Sequence, residues 1–282
     1  MIIKEAYQNL VNAISSYYGM VEAKSIARIV FEDVFGVYNF QKVEALSEDQ
    51  KIKFEDIRQR LINKEPVQYI LGQADFYGLK FKVNSHTLIP RQETEELVYW
   101  ILATIKEQKI GKASVLDIGT GTGCIPITLK VKNQLLASKG LDISEEAVEL
   151  AIENAKLNRV EVAFEKADIL SEEVWLKLGE WDIIVSNPPY IPSSEAKLMP
   201  DHVLEYEPHL ALFVEEHEPL IFYQEIARFA KQNLRKGGYL FFECNEFNAS
   251  KVQALVQELG LTEVILQKDL MGKERMLRAR KN

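Results

Sequence analysis

Val115-Leu116-Asp117-Ile118-Gly119-Thr120-Gly121-Thr122-Gly123 is an apolar run that empties into a glycine-rich turn, followed from Cys124 to Val131 by a stretch with helical character. A buried strand, a tight turn and a helix read in that order are the first unit of an open α/β sheet, and such sheets bind ligands at the carboxyl ends of their strands. Gly119 and Gly121 admit left-handed dihedrals and let a ligand approach the backbone. The spacing also separates cofactors: a dinucleotide fingerprint asks for glycine at position 124, where this chain has Cys124, and the third glycine falls instead at 123.

Working outward, strands and helices alternate from about residue 93 onward, as in a parallel sheet covered on both faces. Strands are expected at 114–118, 140–143, 160–164, 182–186, 239–243, 263–267 and 275–280, with helices at 93–108, 124–131, 144–158, 219–234 and 248–259. Ser144, followed by Glu145 and Glu146, is a good helix start. Toward the N-terminus, residues 1–72 read as helices only. Leu10, Ile14, Tyr17 and Tyr18 share one face, Ala23, Ile26, Ala27, Val30, Phe31 and Val34 a second, and Phe54, Ile57 and Leu61 a third. Gly19 and Gly36 stand where the first two helices should stop, and Ser47-Glu48-Asp49-Gln50 is a capping box for the next. Phe76-Tyr77-Gly78-Leu79 within 73–88 reads as a β-hairpin connector. The expected division is a helical domain over 1–72, the connector over 73–88 and an α/β domain over 89–282.

The 282 residues carry 34 basic and 42 acidic side chains, a formal charge of -8, and 47% hydrophobic residues. That is ample for a core and leaves no global basic field to attract a polyanion, so direct nucleic-acid binding is not expected. Cys124 and Cys244 lie far apart without a disulfide or zinc pattern, and no metal is expected. No run of about 18 apolar residues is present, so neither secretion nor membrane spanning is expected and a reducing cytoplasm is. His86, His202, His209 and His217 read as surface or loop residues.

Acidic residues recur at the strand ends beside the glycine turn. Asp142 closes the second strand, where a carboxylate accepts bonds from two ribose hydroxyls. Asp168 follows the third, within reach of an adenine amino group, and Asp117 suits turn amides or an amino group. Each alone has a plain alternative: a helix start, an exposed loop acid, a buried turn acid. Together, with no Lys in the turn and no Arg after Asp142, they suit a phosphate-free, positively charged nucleoside, S-adenosylmethionine.

A second turn follows the apolar run 182–186: Asn187-Pro188-Pro189-Tyr190. Methylating a planar amide or aromatic amino nitrogen needs acceptors for both N–H bonds, because the lone pair is delocalised. The Asn187 side-chain oxygen supplies one and the Pro188 backbone carbonyl the other. Pro188 and Pro189 stiffen the turn, and Tyr190 offers a ring face. The alternative is a Pro-Pro loop stop whose Asn caps a turn.

The chain resembles the class I methyltransferases and, over essentially its whole length, the release factor glutamine methyltransferases of the HemK type. The similarity runs through Arg60 with 65–72, Phe76-Tyr77-Gly78, Leu88-Ile89-Pro90-Arg91-Gln92-Glu93-Thr94-Glu95, the turn at 117–123 and Asn187 to Tyr190. It continues through Tyr206-Glu207-Pro208 with Ala211-Leu212, then 234–238 and 268–275. Gln92 departs from the proline usual in the family.

The resemblance implies a seven-stranded Rossmann-like sheet with one antiparallel strand and an N-terminal helical substrate-docking domain. It also implies S-adenosylmethionine as donor, S-adenosylhomocysteine as product, and as substrate the glutamine of the Gly-Gly-Gln loop in class I peptide chain release factors. Residue by residue it implies Asn187 and Pro188 as amide ligands, Asp142 as the ribose ligand, and Gly119, Thr120, Gly121 and Gly123 as the donor loop. A monomer is expected. The competing readings are an adenine or cytosine amino-methyltransferase acting on DNA, a non-catalytic translation-factor adaptor, and a nicotinamide dehydrogenase.

Overall fold

A computed structural model describes residues 1–282, the side chain of Leu198 excepted. The chain forms two units: Met1–Gln73 with Pro200–Tyr206, and Ala74–Met199 with Glu207–Asn282.

In the first unit a long helical stretch, Ile3–Phe35, is broken at Gly19, whose φ of 76° and ψ of 161° are not helical, and stopped by Gly36 in the left-handed region. Both glycines interrupt the helix where the sequence places them. Helix Glu48–Ile62 begins with the expected capping box: Ser47 Oγ accepts from the Gln50 N–H, and Gln50 Oε1 accepts from the Ser47 N–H. Phe31, Phe54, Leu10, Ile14 and Leu61 fill the core between these helices. Tyr17 is an exception to the face read for it. It is exposed, its hydroxyl bonds His202 Nδ1 at 3.2 Å, and the Lys64 ammonium lies 4.5 Å from its ring centroid. A polar tip and a cationic partner keep an aromatic ring at the surface as readily as burial hides it.

From Ala74 the second unit opens with a hairpin, β1 (Gln73–Phe76, whose first residue ends the first unit) and β2 (Leu79–Lys82), turned by Tyr77 and Gly78, both at positive φ. The central sheet follows: β3 (Ser114–Ile118), β4 (Ala137–Asp142), β5 (Ala163–Lys166), β6 (Trp181–Ser186), β9 (Leu234–Glu243), β10 (Thr262–Lys268) and β11 (Glu274–Arg280). A separate two-residue pair, β7 (Ile191–Pro192) with β8 (Phe213–Val214), lies between β6 and β9 in the chain. The spatial order is β10-β11-β9-β6-β3-β4-β5, with β11 antiparallel to both neighbours and every other pairing parallel. This is the expected seven-stranded sheet with one reversed strand. Apolar residues pack on both faces, one side built around Tyr223, Phe229 and Trp175, the other around Trp100, Ile101 and Phe81.

Three details differ from the sequence reading. β5 starts at Ala163, and Val160 and Val162 before it are half-buried side chains packed against the core cluster that contains Trp100 and Phe81. β9 already begins at Leu234, and its pairing with β6 slips between Trp181 and Ile183, so Arg235–Gly238 form an irregularity inside a strand. Helix Glu172–Leu178 is too short to show a period, burying only Trp175 and Leu178.

Candidate active site

The strand order sets β3 between β4 and β6, so the glycine turn after β3 and the Asn187 turn after β6 leave the sheet next to each other. A side-chain bond joins them: Ser186 Oγ donates to the Ile118 carbonyl at 2.6 Å. These are the last residues before the two turns.

The glycine turn is fastened to its neighbour strand. Gly119 and Thr120 N–H groups both donate to the Leu141 carbonyl, at 2.9 and 2.8 Å, and the Gly121 N–H donates to Asp142 Oδ2 at 2.8 Å. Gly119 and Gly121 hold φ of 74° and 52°, and a Cβ at either would meet nothing within 4 Å, so the turn faces open space. Gly140, which the sequence reading passes over, is the opposite case: a Cβ there would lie 2.6 Å from Thr120 Oγ1 and 2.7 Å from the Phe164 ring. The absence of a side chain at 140 lets Thr120 and Phe164 close over β4.

A cavity of ≈ 590 Å³ opens beside both turns, within the usual range for a small-molecule site. Gly119, Thr120, Gly121, Asp142 and Asp168 line it, as do Asn187, Pro188 and Pro189. Tyr190, Asp117 and Gly123 are not among its lining residues; a Cβ on Gly123 would lie 3.0 Å from Ile127, 3.1 Å from Phe164 and 3.2 Å from Ala151, so that glycine serves close packing beneath the turn. Tyr190 packs against the core cluster that contains Tyr223 and Phe242, and burial raises its hydroxyl pKa. Asp117 is fully buried, its Oδ2 accepting from Thr120 Oγ1 at 2.6 Å while its Oδ1 has no partner. Burial pushes that carboxyl up to about 7. Burial also raises Asp142, opposed by bonds from the Ser144 and Gly121 N–H groups. Asp168 Oδ1 accepts from the Leu170 N–H at 2.9 Å. His86, read as a surface residue, is exposed and also lines the cavity.

The donor set fits a nucleoside that carries no phosphate. Two bases of permanent charge in the cavity wall are already paired, Arg91 with Glu207 and Lys166 with Glu145 at 3.1 Å. Glu207 is buried and its other oxygen accepts from the Ile89 N–H at 3.2 Å, so it ties the 88–91 segment down rather than facing a ligand. What remains toward the cavity is acceptor-rich: Asp142 and Asp168, with Asp117 buried beneath the turn. Apolar Ile143 and Ile169 stand beside the two lining aspartates.

On the acceptor side, Asn187 Nδ2 lies 3.4 Å from Thr94 Oγ1, and Thr94 Oγ1 donates to Glu243 Oε2 at 2.7 Å. Thr94 sits in the first turn of helix Gln92–Glu107 and Glu243 at the end of β9. Burial pushes the Glu243 carboxyl up to about 7, with the Thr94 bond working against the rise. Sequence reasoning gives neither residue a role, since each gains significance only through its spatial neighbour.

The Methyltransferase small domain model matches residues 99–204. The sheet is similar to that of a methyltransferase from Pyrococcus furiosus (TM-score 0.51, 18% identity, 84% of this chain and all of that one). It is also similar to a 16S rRNA methyltransferase from T. Thermophilus solved with AdoMet and guanosine (TM-score 0.51, 20% identity, 74% and 50%). The fold and the family model define a Rossmann-like methyltransferase, an enzyme whose methyl donor is S-adenosylmethionine.

The PrmC N-terminal domain model matches residues 5–72. The chain is 40% identical over 287 aligned positions to the release factor glutamine methyltransferase of Flavobacterium psychrophilum, covering 99% of each, and 42% identical to that of Lactococcus lactis over 81% of this chain and 83% of the relative. It belongs to the release factor glutamine methyltransferase family.

Proposed function

We propose that this enzyme transfers a methyl group to the side-chain amide nitrogen of the glutamine in the Gly-Gly-Gln loop of class I peptide chain release factors, with Asn187 and the Pro188 carbonyl as the acceptors that hold the amide. The observation that carries the reading is the Ser186–Ile118 bond, which keeps the Asn187 turn against the glycine turn on one cavity. Gly119, Thr120 and Gly121 would cradle the donor, Asp142 would take its ribose and Asp168 its adenine, with Gly123 letting the turn pack closely against Ile127, Phe164 and Ala151 and Asp117 steadying it from below. When bound, S-adenosylmethionine supplies an electrophilic methyl on a sulfonium.

The chain's own contribution is alignment and charge stabilisation. Asn187 Oδ1 and the Pro188 carbonyl accept the two amide N–H bonds, which turns the nitrogen lone pair toward the donor side. As positive charge grows on that nitrogen its N–H groups become better donors, so both acceptors stabilise the transition state more than the ground state. No strong base is required, and the surplus proton leaves to water. Pro189 keeps the turn extended, and Tyr190 acts from behind it by packing.

Residues 1–72 are assigned to substrate docking, 73–88 to the connector and 89–282 to catalysis. The charge of -8 supports a protein rather than a nucleic-acid substrate. Among the described residues no helix is long and apolar enough to cross a membrane, and Cys124 and Cys244 are buried free thiols, as a reducing compartment would leave them; we assign work in the cytoplasm as a monomer.

Incubating the enzyme with labelled donor and either a class I release factor or duplex DNA, then locating the methyl by peptide mass, tests the substrate. Label on the Gly-Gly-Gln glutamine is expected, and label on DNA alone would refute the reading. Asn187→Ala is expected to cut turnover on the order of 10²-fold while S-adenosylhomocysteine affinity stays within about twofold.

A further inference from the structure

A carboxamide has two chemically different ends of nearly equal size, and Asn187 serves as an acceptor only if its oxygen, not its nitrogen, meets the incoming amide. Nothing within the Asn187–Pro188 turn decides between them. The decision comes from two buried side chains, Thr94 and Glu243, 3% and 2% exposed. The Thr94 hydroxyl has a single proton, and it goes to Glu243 Oε2 across 2.7 Å. Only lone pairs are then left on Thr94 Oγ1 to face Asn187, so the Asn187 group 3.4 Å away must be the N–H donor. The Asn187 oxygen is thereby turned from Thr94.

The Glu243 link is the shorter of the two, 2.7 Å against 3.4 Å, so it is the anchor and the Asn187 link takes its polarity from it. The sheet makes the arrangement possible: Glu243 ends β9, the strand beside β6, and Phe242 pairs in register with Ser186, the residue before Asn187.

We propose that Thr94 and Glu243 are positioning residues, a buried relay that selects which end of the Asn187 carboxamide meets the substrate nitrogen. The inference rests on the reading of Asn187 as an acceptor. It also gives the Asn187 turn a requirement beyond its own four residues: a hydroxyl at 94 and an acceptor at 243.

The test uses the full chain with a class I release factor and labelled donor, measuring kcat, KM for the protein substrate and Kd for S-adenosylhomocysteine. Thr94→Val keeps the shape and removes the hydroxyl. It is expected to lower kcat about tenfold or more, since small misorientations of an aligning group are costly, with S-adenosylhomocysteine Kd within about twofold. Thr94→Ser is expected to recover most of the lost kcat. Glu243→Met, which removes the acceptor at similar size, is expected to lower kcat in the wild-type background but by less than about twofold on top of Thr94→Val, since two members of one relay are coupled.

Wild-type kcat in Thr94→Val beside an inactive Asn187→Ala would overturn the relay and leave the acceptor reading standing. Near-normal turnover in Asn187→Ala would overturn both. Loss of S-adenosylhomocysteine affinity in both Thr94 variants, or fully additive effects of Thr94→Val and Glu243→Met, would show mere structural support and overturn the relay.

Discussion

Of the two turns that border the cavity, the one after β3 is held by its own stretch of chain, and the one after β6 by residues from elsewhere. Gly119, Thr120 and Gly121 bond to Leu141 and Asp142, and Thr120 to Asp117, so every partner lies within one strand–turn–helix–strand unit. The Asn187 turn depends on Thr94, 93 positions earlier, and through it on Glu243. The first is a geometry that backbone and glycine produce locally. The second needs the sheet to be assembled before its polarity is defined.

The comparison can be broken first at Asp117, whose effect should be largest. Its folded pKa of about 7 lies above the ordinary carboxylate value. Folding is therefore favoured while the group is protonated, and that advantage, fully present below about pH 4, is lost as pH rises through about 7, a change on the order of 2–4 kcal/mol. Glu243, raised to about 7 by the same burial, adds a slope of the same sign. Denaturant melts of Asp117→Asn between pH 4.5 and 8 should show roughly half the wild-type fall in stability; an unchanged slope would mean the acid under the glycine turn is not the buried carboxyl described.

A steric test comes next. Gly140→Val would drive a side chain into Thr120 and Phe164, costing about 1–3 kcal/mol by overpacking, and calorimetry should show weakened S-adenosylhomocysteine binding beside normal affinity in Asn187→Ala. Gly121→Ala sharpens the same point from the open side. Left-handed backbone costs a non-glycine residue about 1–2 kcal/mol, yet nothing in the protein obstructs the added methyl. S-adenosylhomocysteine affinity should fall by about tenfold or more, a larger loss than the shift in melting requires. The smallest effect belongs to the cavity's outer wall: Lys166→Ala, breaking an exposed pair with Glu145, should leave stability within about 0.5 kcal/mol.

The same contrast explains what the sequence discloses. The strand–turn–helix unit at 114–131, the Ser144 start, the Ser47 capping box and the stops at Gly19 and Gly36 are readable because each is decided by neighbours a few positions apart. Gly140 gives no such sign: it lies inside a strand, and its necessity arises from Thr120 and Phe164 closing over it. Tyr17 follows the helical period of a core residue, and only His202, far along the chain, and Lys64, in the turn after helix Glu48–Ile62, account for its place at the surface. Arg235–Gly238 look like a turn because they are a bulge, and pairing between β6 and β9 absorbs them into a strand. Thr94 sits inside a recognisable motif, but its bond to Glu243 spans 149 positions.

The reversed strand β11 is inserted between β9 and β10 rather than added at the sheet's margin. During synthesis, therefore, β9 waits with one side unpaired until residues 274–280 clear the ribosome, and β10 has no strand to join until then. The sheet thus stays in two unjoined parts until its last strand in chain order arrives and closes both gaps at once.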